Sequence, residues 1–251
     1  MLLQQTLTQL RELRMNGMVN AIQLQMGQPD IQSLPFEDRL GMLVEAEISE
    51  RYTKRMAKLV KDARFKEPSA CIEAVDFDPQ RGLDRSLINS LARGHYADIG
   101  HHVIITGATG AGKSWMACAF GIQLCRQGKS VRYFRLSRLI EILTLAKGDG
   151  SLPRLRAQLA RVDVIILDDW LMAPIDAGSA REILELVDDR AGRNSLILTS
   201  QHPVSVWHDR IGEPTVADAM LDRIVHSAHR VEIRGESIRK RRGMQNSPVD
   251  K

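Results

Sequence analysis

The chain has 251 residues, of which 43% are apolar and 26% are charged, and its formal net charge is +4. This composition is typical of a folded globular protein and excludes an intrinsically disordered chain. No apolar run approaches the roughly 18 to 20 residues that a membrane-spanning helix needs, and the first residues lack the apolar core and cleavage site of a signal peptide. We therefore expect a soluble, cytoplasmic protein with no membrane partner.

Residues 1–66 show helical patterns throughout and predict a small all-helical domain. A weaker helix is predicted from Leu3 to Met26, and a stronger one begins near Phe36. Apolar residues in the second helix recur at steps of three and four, which places them on one face. They are Leu40, Leu43, Val44, Ile48, Tyr52, Met56 and Leu59. We expect this domain to dock a partner protein or DNA.

The pattern changes after residue 66. Residues 67–97 are rich in turn formers, including Pro68, Pro79 and Gly82, and are predicted to form a linker. From residue 98, short apolar runs alternate with helical patterns, which is typical of a parallel sheet covered on both faces. The predicted strands are 102–106, 130–135, 162–167, 195–200 and 230–233. We therefore predict an α/β domain over residues 98–251, ending in a short basic tail.

The segment VIITGATGAGKSW, residues 103–115, matches the phosphate-binding pattern GxxxxGK[ST] between a predicted strand and a predicted helix. Glycines let such a loop bring its N–H groups close to phosphate oxygens. Lys113 is expected to reach the β and γ phosphates of ATP, and Ser114 to ligate Mg²⁺. The predicted nucleotide-binding residues are Gly107, Ala108, Thr109, Gly110, Ala111, Gly112, Lys113 and Ser114.

Polar residues also follow two further predicted strands. DVIILDDW ends in Asp168 and Asp169, and SLILTSQ ends in Gln201. We expect Asp168 to hold the Mg²⁺ shell and Asp169 to orient and polarise the attacking water, although Asp169 could instead cap its own loop. Because ligands of open α/β sheets bind at the carboxyl ends of the strands, these residues should converge on the phosphate loop. The sequence therefore predicts a site for ATP hydrolysis.

Two other nucleotide-dependent functions share the phosphate loop. A small-molecule kinase would not need a second acid beside Asp168, and it would need a substrate pocket and lid for which we find no residues. A GTPase would need a guanine-reading segment of the NKxD type, which the sequence lacks. An ATP-driven conformational switch fits best.

Basic residues are concentrated in three stretches. Arg51 to Lys66 contains seven basic residues and one acid, and Arg126 to Arg161 contains nine basic residues and two acids. A third stretch, RKRRG, begins at Arg239. Such stretches suit a polyanion such as DNA, and each taken alone is also compatible with an ordinary solvated surface.

From about Gly100 to Arg242 the sequence resembles the IstB-like ATP-binding proteins of bacterial insertion sequences. These belong to the initiator and helicase-loader branch of the AAA+ ATPases, in which DnaC-type loaders are close relatives. The resemblance is carried, in this order, by GATGAGKSW, VIILDDW and LILTSQHPVSVWHDRIGEPTVADAMLDRIVHSAHRVEIRGESIRKR. The third stretch is long and specific, whereas the first is shared by many ATPases.

This resemblance implies an AAA+ core without a C-terminal lid domain, and a homo-oligomer with ATP between protomers. It also implies duplex DNA and a transposase as partners, with a replicative helicase as the alternative. Arg223 in LDRI matches the arginine finger, although the residue could equally form a local salt bridge with Asp222. Arg154 and Arg156 are the DNA-binding candidates, because this branch carries extra DNA-facing helices between its second and third strands.

Two catalytic positions depart from the family pattern. Asp169 stands where a glutamate is usual, and Gln201 stands where an asparagine is common. Both differences alter the reach of the side chain toward the attacking water. We therefore expect slow ATP hydrolysis that assembly or a partner stimulates.

Overall fold

The computed structural model describes residues 2–235, so the basic run that begins at Arg239 lies outside the described residues. The chain divides into two compact units, residues 1–58 and residues 59–251. None of the helices in the described part of the chain has the length and apolarity needed to cross a bilayer.

The first unit is helical. Its helices are α1 (Leu2–Glu12), α2 (Asn16–Met26), α3 (Pro29–Gln32) and most of α4 (Phe36–Ala63), which continues into the second unit. The predicted single helix from Leu3 to Met26 is wrong: it is two helices, because Arg14 adopts a left-handed conformation with φ of 59°. Gly17 lets α2 approach α4, since a Cβ atom there would lie 2.6 Å from the backbone oxygen of Ala46.

The predicted apolar face of α4 is largely solvent-exposed within the first unit. Leu40, Val44, Ile48 and Tyr52 are exposed, as is Phe36 at the start of the helix. The residues on α4 that follow in the second unit behave differently, because Leu59 packs against the core there. The regular apolar spacing therefore predicted the helix correctly, but it did not show whether the apolar face is buried.

The second unit contains a five-stranded parallel sheet. Its strands are β1 (His102–Gly107), β2 (Val131–Arg135), β3 (Val164–Asp168), β4 (Ser195–Ser200) and β5 (Ala228–Ile233). The strand order is β2-β3-β4-β1-β5, and all four pairings are parallel. These pairings confirm the predicted α/β fold with a parallel sheet. The prediction succeeded because continuous apolar runs are typical of strands that are covered on both faces.

Helices cover both faces of this sheet. They are α5 (Arg85–Ala92), α6 (His95–Asp98), α7 (Lys113–Arg126), α8 (Leu136–Gly148), α9 (Leu152–Ala160), α10 (Ala177–Asp188) and α11 (Pro214–Val225). Alternate residues of β3 enter the two cores, as strand geometry requires. Ile165 and Leu167 pack with α8, α10 and α11, whereas Val164 and Ile166 pack with α5, α6 and α7.

Residues 67–97 differ from the predicted linker. They contain α5, the start of α6 and two 3-10 helices (Ile72–Ala74 and Pro79–Arg81), and they lie within the second unit. Ile88, Leu91 and Tyr96 are buried in one of its cores. Proline and glycine correctly indicated turns in this segment. The segment is nevertheless not a linker, because its two short α-helices contribute buried side chains to the core of the second unit.

Candidate nucleotide-binding and hydrolysis site

The phosphate-binding loop connects β1 to α7. Gly110 and Gly112 have φ of 81° and 100°, which favours glycine, and α7 begins directly at Lys113. A Cβ atom on Gly107 would lie 2.3 Å from the backbone oxygen of Ile233 in β5. The buried side chain of Arg81 also contacts the loop, since its Nη2 donates a hydrogen bond to the backbone oxygen of Ala111 at 2.9 Å. The position of the loop is therefore fixed by the close contact with β5 and by the hydrogen bond from Arg81.

Lys113 lies inside the loop that carries it. Its Nζ donates to the backbone oxygens of Gly107 and Ala108, each at 2.9 Å. Burial lowers the pKa of this ammonium group, and the charges of Asp168 and Asp169 act in the opposite direction. A buried cation held by two carbonyl oxygens of the loop provides positive charge where the phosphates of a nucleotide would bind.

Ser114 and Asp168 meet at the carboxyl end of β3. The Ser114 hydroxyl donates to Asp168, with Oγ 2.7 Å from Oδ1 and 2.9 Å from Oδ2. The hydroxyl groups of Thr199 and Tyr133 also donate to this fully buried carboxylate. Burial acts to raise the pKa of Asp168, but these three hydrogen bonds and the nearby Lys66 outweigh it and lower the pKa. Asp168 is therefore held as a carboxylate.

These two side chains fit the requirements of Mg²⁺, which prefers oxygen ligands and retains several waters or phosphate oxygens. Across residues 2–235 there is no group of three His, Cys, Asp or Glu side chains that could hold a metal. A hydroxyl and one ionised carboxylate form only part of a shell, and phosphate oxygens and water would supply the rest. The predicted residues Ser114 and Asp168 therefore suit a metal that arrives with a nucleotide.

Asp169 lies beside Asp168 but in a different environment. Its φ is 57°, in the left-handed region where short polar side chains such as Asp are tolerated. Its backbone N–H donates to Thr199 Oγ1 at 3.2 Å, and its Oδ2 lies 3.9 Å from Arg135 Nε. No backbone N–H of the described residues donates to its carboxylate, which leaves the loop-capping alternative unsupported. The carboxylate is partly exposed and can face solvent.

Gln201 reaches the phosphate loop from the end of β4. Its Oε1 accepts a hydrogen bond from the Thr109 hydroxyl at 2.7 Å, and its Nε2 lies 3.4 Å from the sulfur atom of Met172. The predicted convergence of β1, β3 and β4 therefore extends to side-chain contacts. It follows from the parallel arrangement of the three strands.

Arg223 contacts α10 and its own helix rather than the phosphate loop. Its guanidinium forms an ion pair with Asp188, and its Nη1 donates to the Ala219 oxygen at 2.8 Å. The neighbouring Asp222 instead faces His226, with its Oδ1 3.4 Å from His226 Nε2. Arg223 therefore forms a salt bridge, but with Asp188 of α10 and not with its neighbour Asp222.

The two DNA-binding candidates differ in their surroundings. Arg154 is exposed on α9. Arg156 is directed at α10, with Nη2 2.7 Å from Glu182 Oε2 and Nη1 3.3 Å from Glu185 Oε2. Two residues make about half a turn of α-helix, so the two arginines point to different sides of α9 and the structure does not bring them together on one surface.

Sequence reasoning missed two residues of this site. Tyr133 is partly buried in the core, as expected for a strand residue, yet its hydroxyl donates to Asp168. Lys66 Nζ lies 3.3 Å from Asp168 Oδ2 and 3.4 Å from Ser114 Oγ. In the sequence Lys66 was one member of a basic run, and nothing in that run distinguishes it from its neighbours.

Comparison with known proteins identifies the family of this chain. Residues 8–246 match the family of IstB-like ATP-binding proteins. An insertion sequence ATP-binding protein of Sinorhizobium fredii is 42% identical over 240 residues, covering 96% of this chain and 98% of that protein.

Solved structures show the same fold at low sequence identity. The replication initiator DnaA bound to AMPPCP and single-stranded DNA has a TM-score of 0.56 and 17% identity, over 73% of this chain and 57% of that one. The DnaC helicase loader has a TM-score of 0.50 and 17% identity, over 66% of this chain and 97% of that one. The second unit therefore has the P-loop AAA+ fold that the sequence predicted.

Proposed function

The chain belongs to the family of IstB-like ATP-binding proteins, and from this membership we propose that it is the ATPase of a transposition system. In this proposal it assembles on duplex DNA when ATP is bound, and it recruits or activates a transposase. The observation that carries the proposal is the meeting of Lys113, Ser114 and the ionised Asp168 at one edge of the sheet, with Asp169 beside them.

The residues of the site have different roles in ATP hydrolysis. Lys113 and the loop amides bind the phosphates, while Ser114 and Asp168 would hold Mg²⁺, which supplies charge neutralisation at the transferring phosphate. Asp169 accepts a proton from the attacking water, and Gln201 orients that water from the end of β4. Hydrolysis to ADP and phosphate is expected to be slow, because both side chains differ in length from those usual in the family.

Arg223 is proposed to act in a homo-oligomer. An arginine that approaches the nucleotide of a neighbouring protomer stabilises charge on the transferring phosphate. Its ion pair with Asp188 would then have to be exchanged for the phosphate of the neighbour. Such an exchange makes ATP hydrolysis depend on assembly, which is the behaviour expected of a switch.

Exposed arginines on and next to α9 support the proposal of DNA binding. Arg154 is exposed near the start of this helix, and Arg161 is exposed directly after its last residue, Ala160. Contacts of this kind bind phosphates without reading bases. Binding to duplex DNA is therefore expected to show little sequence preference and to weaken steeply with salt.

The exposed apolar residues of α4 support docking of a partner by the first unit. Phe36, Leu40, Ile48 and Tyr52 are large side chains that monomeric proteins seldom expose along one helix. The relatives are proteins of insertion sequences, which favours a transposase as the partner over a replicative helicase.

The proposal is tested by electron microscopy of the protein with duplex DNA under three conditions: ATP, a non-hydrolysable analogue and ADP. Ordered assemblies should form with ATP and with the analogue, and they should be lost with ADP. Pull-down with an insertion-sequence transposase, and separately with a replicative helicase, distinguishes the two partners. A protein that stays monomeric and ignores DNA in all three conditions would contradict the proposal.

A further inference from the structure

Lys66 contacts both side chains that the proposed function assigns to Mg²⁺. Its Nζ lies 3.3 Å from Asp168 Oδ2 and 3.4 Å from Ser114 Oγ. The side chain of Lys66 is 24% exposed, whereas that of Asp168 is fully buried. The ammonium group therefore approaches the pair of oxygen ligands from the solvent side.

The segment that carries Lys66 is built to hold this position. Helix α4 ends at Ala63, Arg64 turns the chain with φ of 57°, and Arg132 Nη1 donates to the Asp62 oxygen at 2.6 Å. Phe65 then packs on α7 opposite Gly121, where a Cβ atom would lie 2.5 Å from the Phe65 ring. The close approach of this ring requires a glycine at that point of the P-loop helix.

Two cations cannot share the same oxygen atoms without strong repulsion. Mg²⁺ binds its ligands at about 2.0 to 2.1 Å and demands a nearly octahedral shell. An ammonium group within hydrogen-bonding reach of both Ser114 and Asp168 occupies the same small volume and neutralises the same carboxylate. The flexible four-carbon stem of lysine allows the group to leave by side-chain rotation while Phe65 stays in place.

We propose that Lys66 is an intrinsic cation of the nucleotide site, which holds Ser114 and Asp168 together and must withdraw before Mg²⁺ is bound. This inference rests on the proposed function, since it requires that Mg²⁺ accompany ATP. Lys66 acts as a positioning residue for the two ligands, and it sets how much Mg²⁺ the protein needs before ATP binds tightly.

The test measures the affinity for ATP by calorimetry, once in excess EDTA and once in saturating Mg²⁺. In wild-type protein, displacing Lys66 costs free energy, so Mg²⁺ raises the affinity for ATP less than it would without this lysine. In Lys66→Met, which keeps the apolar stem, the ratio of the two affinities should rise about three- to tenfold, as expected for the loss of one ion-pair partner. Lys61→Met is the matched control, because Lys61 is exposed on the last turn of α4, and its ratio should equal that of wild type.

The controls separate the inference from the proposed function. If the affinity of wild-type protein for ATP does not depend on Mg²⁺, the assigned metal ligands are wrong and the inference falls with them. If wild type depends on Mg²⁺, Ser114→Ala loses that dependence, and Lys66→Met keeps the wild-type ratio or lowers it, only the role of Lys66 is overturned. A lowered ratio would instead mean that Lys66 binds phosphate together with the metal.

A second measurement uses wild-type protein and does not depend on any variant folding. Amine-specific acylation followed by mass spectrometry reports the accessibility of each lysine. The reactivity of Lys66 should rise with ATP and Mg²⁺ and stay unchanged with ATP and EDTA, while Lys113 becomes protected in both. Protection of Lys66 by ATP and Mg²⁺ would overturn the inference.

Discussion

Gln201 Oε1 accepts a hydrogen bond of 2.7 Å from the hydroxyl of Thr109, which joins the end of β4 to the phosphate-binding loop. The two residues are separated by 92 positions in the chain. A side chain that contacts the loop can respond to the terminal phosphate of a bound nucleotide. This contact is the basis of the first prediction.

Gln201→Leu should lower the rate of ATP hydrolysis about tenfold or more while leaving ATP affinity nearly unchanged. The substitution removes a polar group that is needed in the transition state, and effects of one such group range from tenfold upward. Steady-state phosphate release and calorimetry measure the two quantities. Thr109→Ser, which keeps the hydroxyl donor, is the control and should retain most of the activity. Turnover of Gln201→Leu at the wild-type rate would exclude a role in hydrolysis.

Asp169→Asn should preserve ATP binding and reduce hydrolysis about a hundredfold, because it removes the proton acceptor but leaves Ser114 and Asp168 in place. The fold should tolerate this change, since asparagine adopts the left-handed conformation found at this position. Lys113→Ala, by contrast, should abolish ATP binding. Single-turnover hydrolysis and calorimetry check both variants. Hydrolysis by Asp169→Asn at the wild-type rate would show that another group accepts the proton.

Arg223 and Lys113 should complement each other between subunits. Arg223→Ala protein keeps an intact phosphate loop, and Lys113→Ala protein keeps an intact arginine. Neither should hydrolyse ATP alone, but a mixture of the two should recover part of the wild-type activity at interfaces that combine the intact elements. Activity is measured across mixing ratios at constant total protein. If Arg223 serves only its ion pair with Asp188, the mixture recovers nothing.

Arg154 and Arg156 should respond differently to alanine substitution. Arg154→Ala should reduce the salt dependence of DNA binding by about one unit of slope if this exposed side chain contacts a phosphate. Arg156→Ala should leave the slope unchanged and lower thermal stability instead, because Glu182 and Glu185 lose their shared partner. Filter binding over a salt series and thermal unfolding test the pair. A reduced slope for Arg156→Ala alone would reverse the assignment.

His102 should make the fold sensitive to acid. Burial, aided by the nearby charges of Arg190 and His101, lowers the pKa of His102 to about 4, and its Nδ1 accepts a hydrogen bond from the Leu196 N–H at 3.1 Å. The pKa is lower in the folded state than in the unfolded state, so its contribution to stability is present above about pH 6.5 and is lost as pH falls toward 4.

Between pH 7.5 and 4.5 the free energy of unfolding should therefore fall by roughly 2 to 3 kcal/mol through His102 alone. Urea unfolding at a series of pH values measures this change. His102→Gln keeps a hydrogen-bond acceptor that does not titrate in this range, and it should lose correspondingly less stability on acidification. His226→Gln, at an exposed position, is the matched control and should follow wild type. Equal losses in wild type and His102→Gln would contradict the assignment.

The sequence by itself determined the elements whose signals are local. The phosphate loop, the parallel strands and the placement of Asp168, Asp169 and Gln201 at strand ends all follow from motif spacing and apolar runs. Their convergence follows as well. The carboxyl ends of parallel strands lie at one edge of the sheet, so residues that directly follow these strands must lie close together there.

Only the tertiary structure decided which distant side chains complete the site and which charges are already paired. Lys66 and Tyr133 reach Asp168 across 102 and 35 positions of the chain, and Arg156 reaches Glu182 across 26. A basic run in the sequence looks the same whether its members face solvent, a carboxylate or a metal site. Contacts of this kind depend on where the backbone turns in space, as it does at Arg64, and no residue spacing along the chain encodes that position.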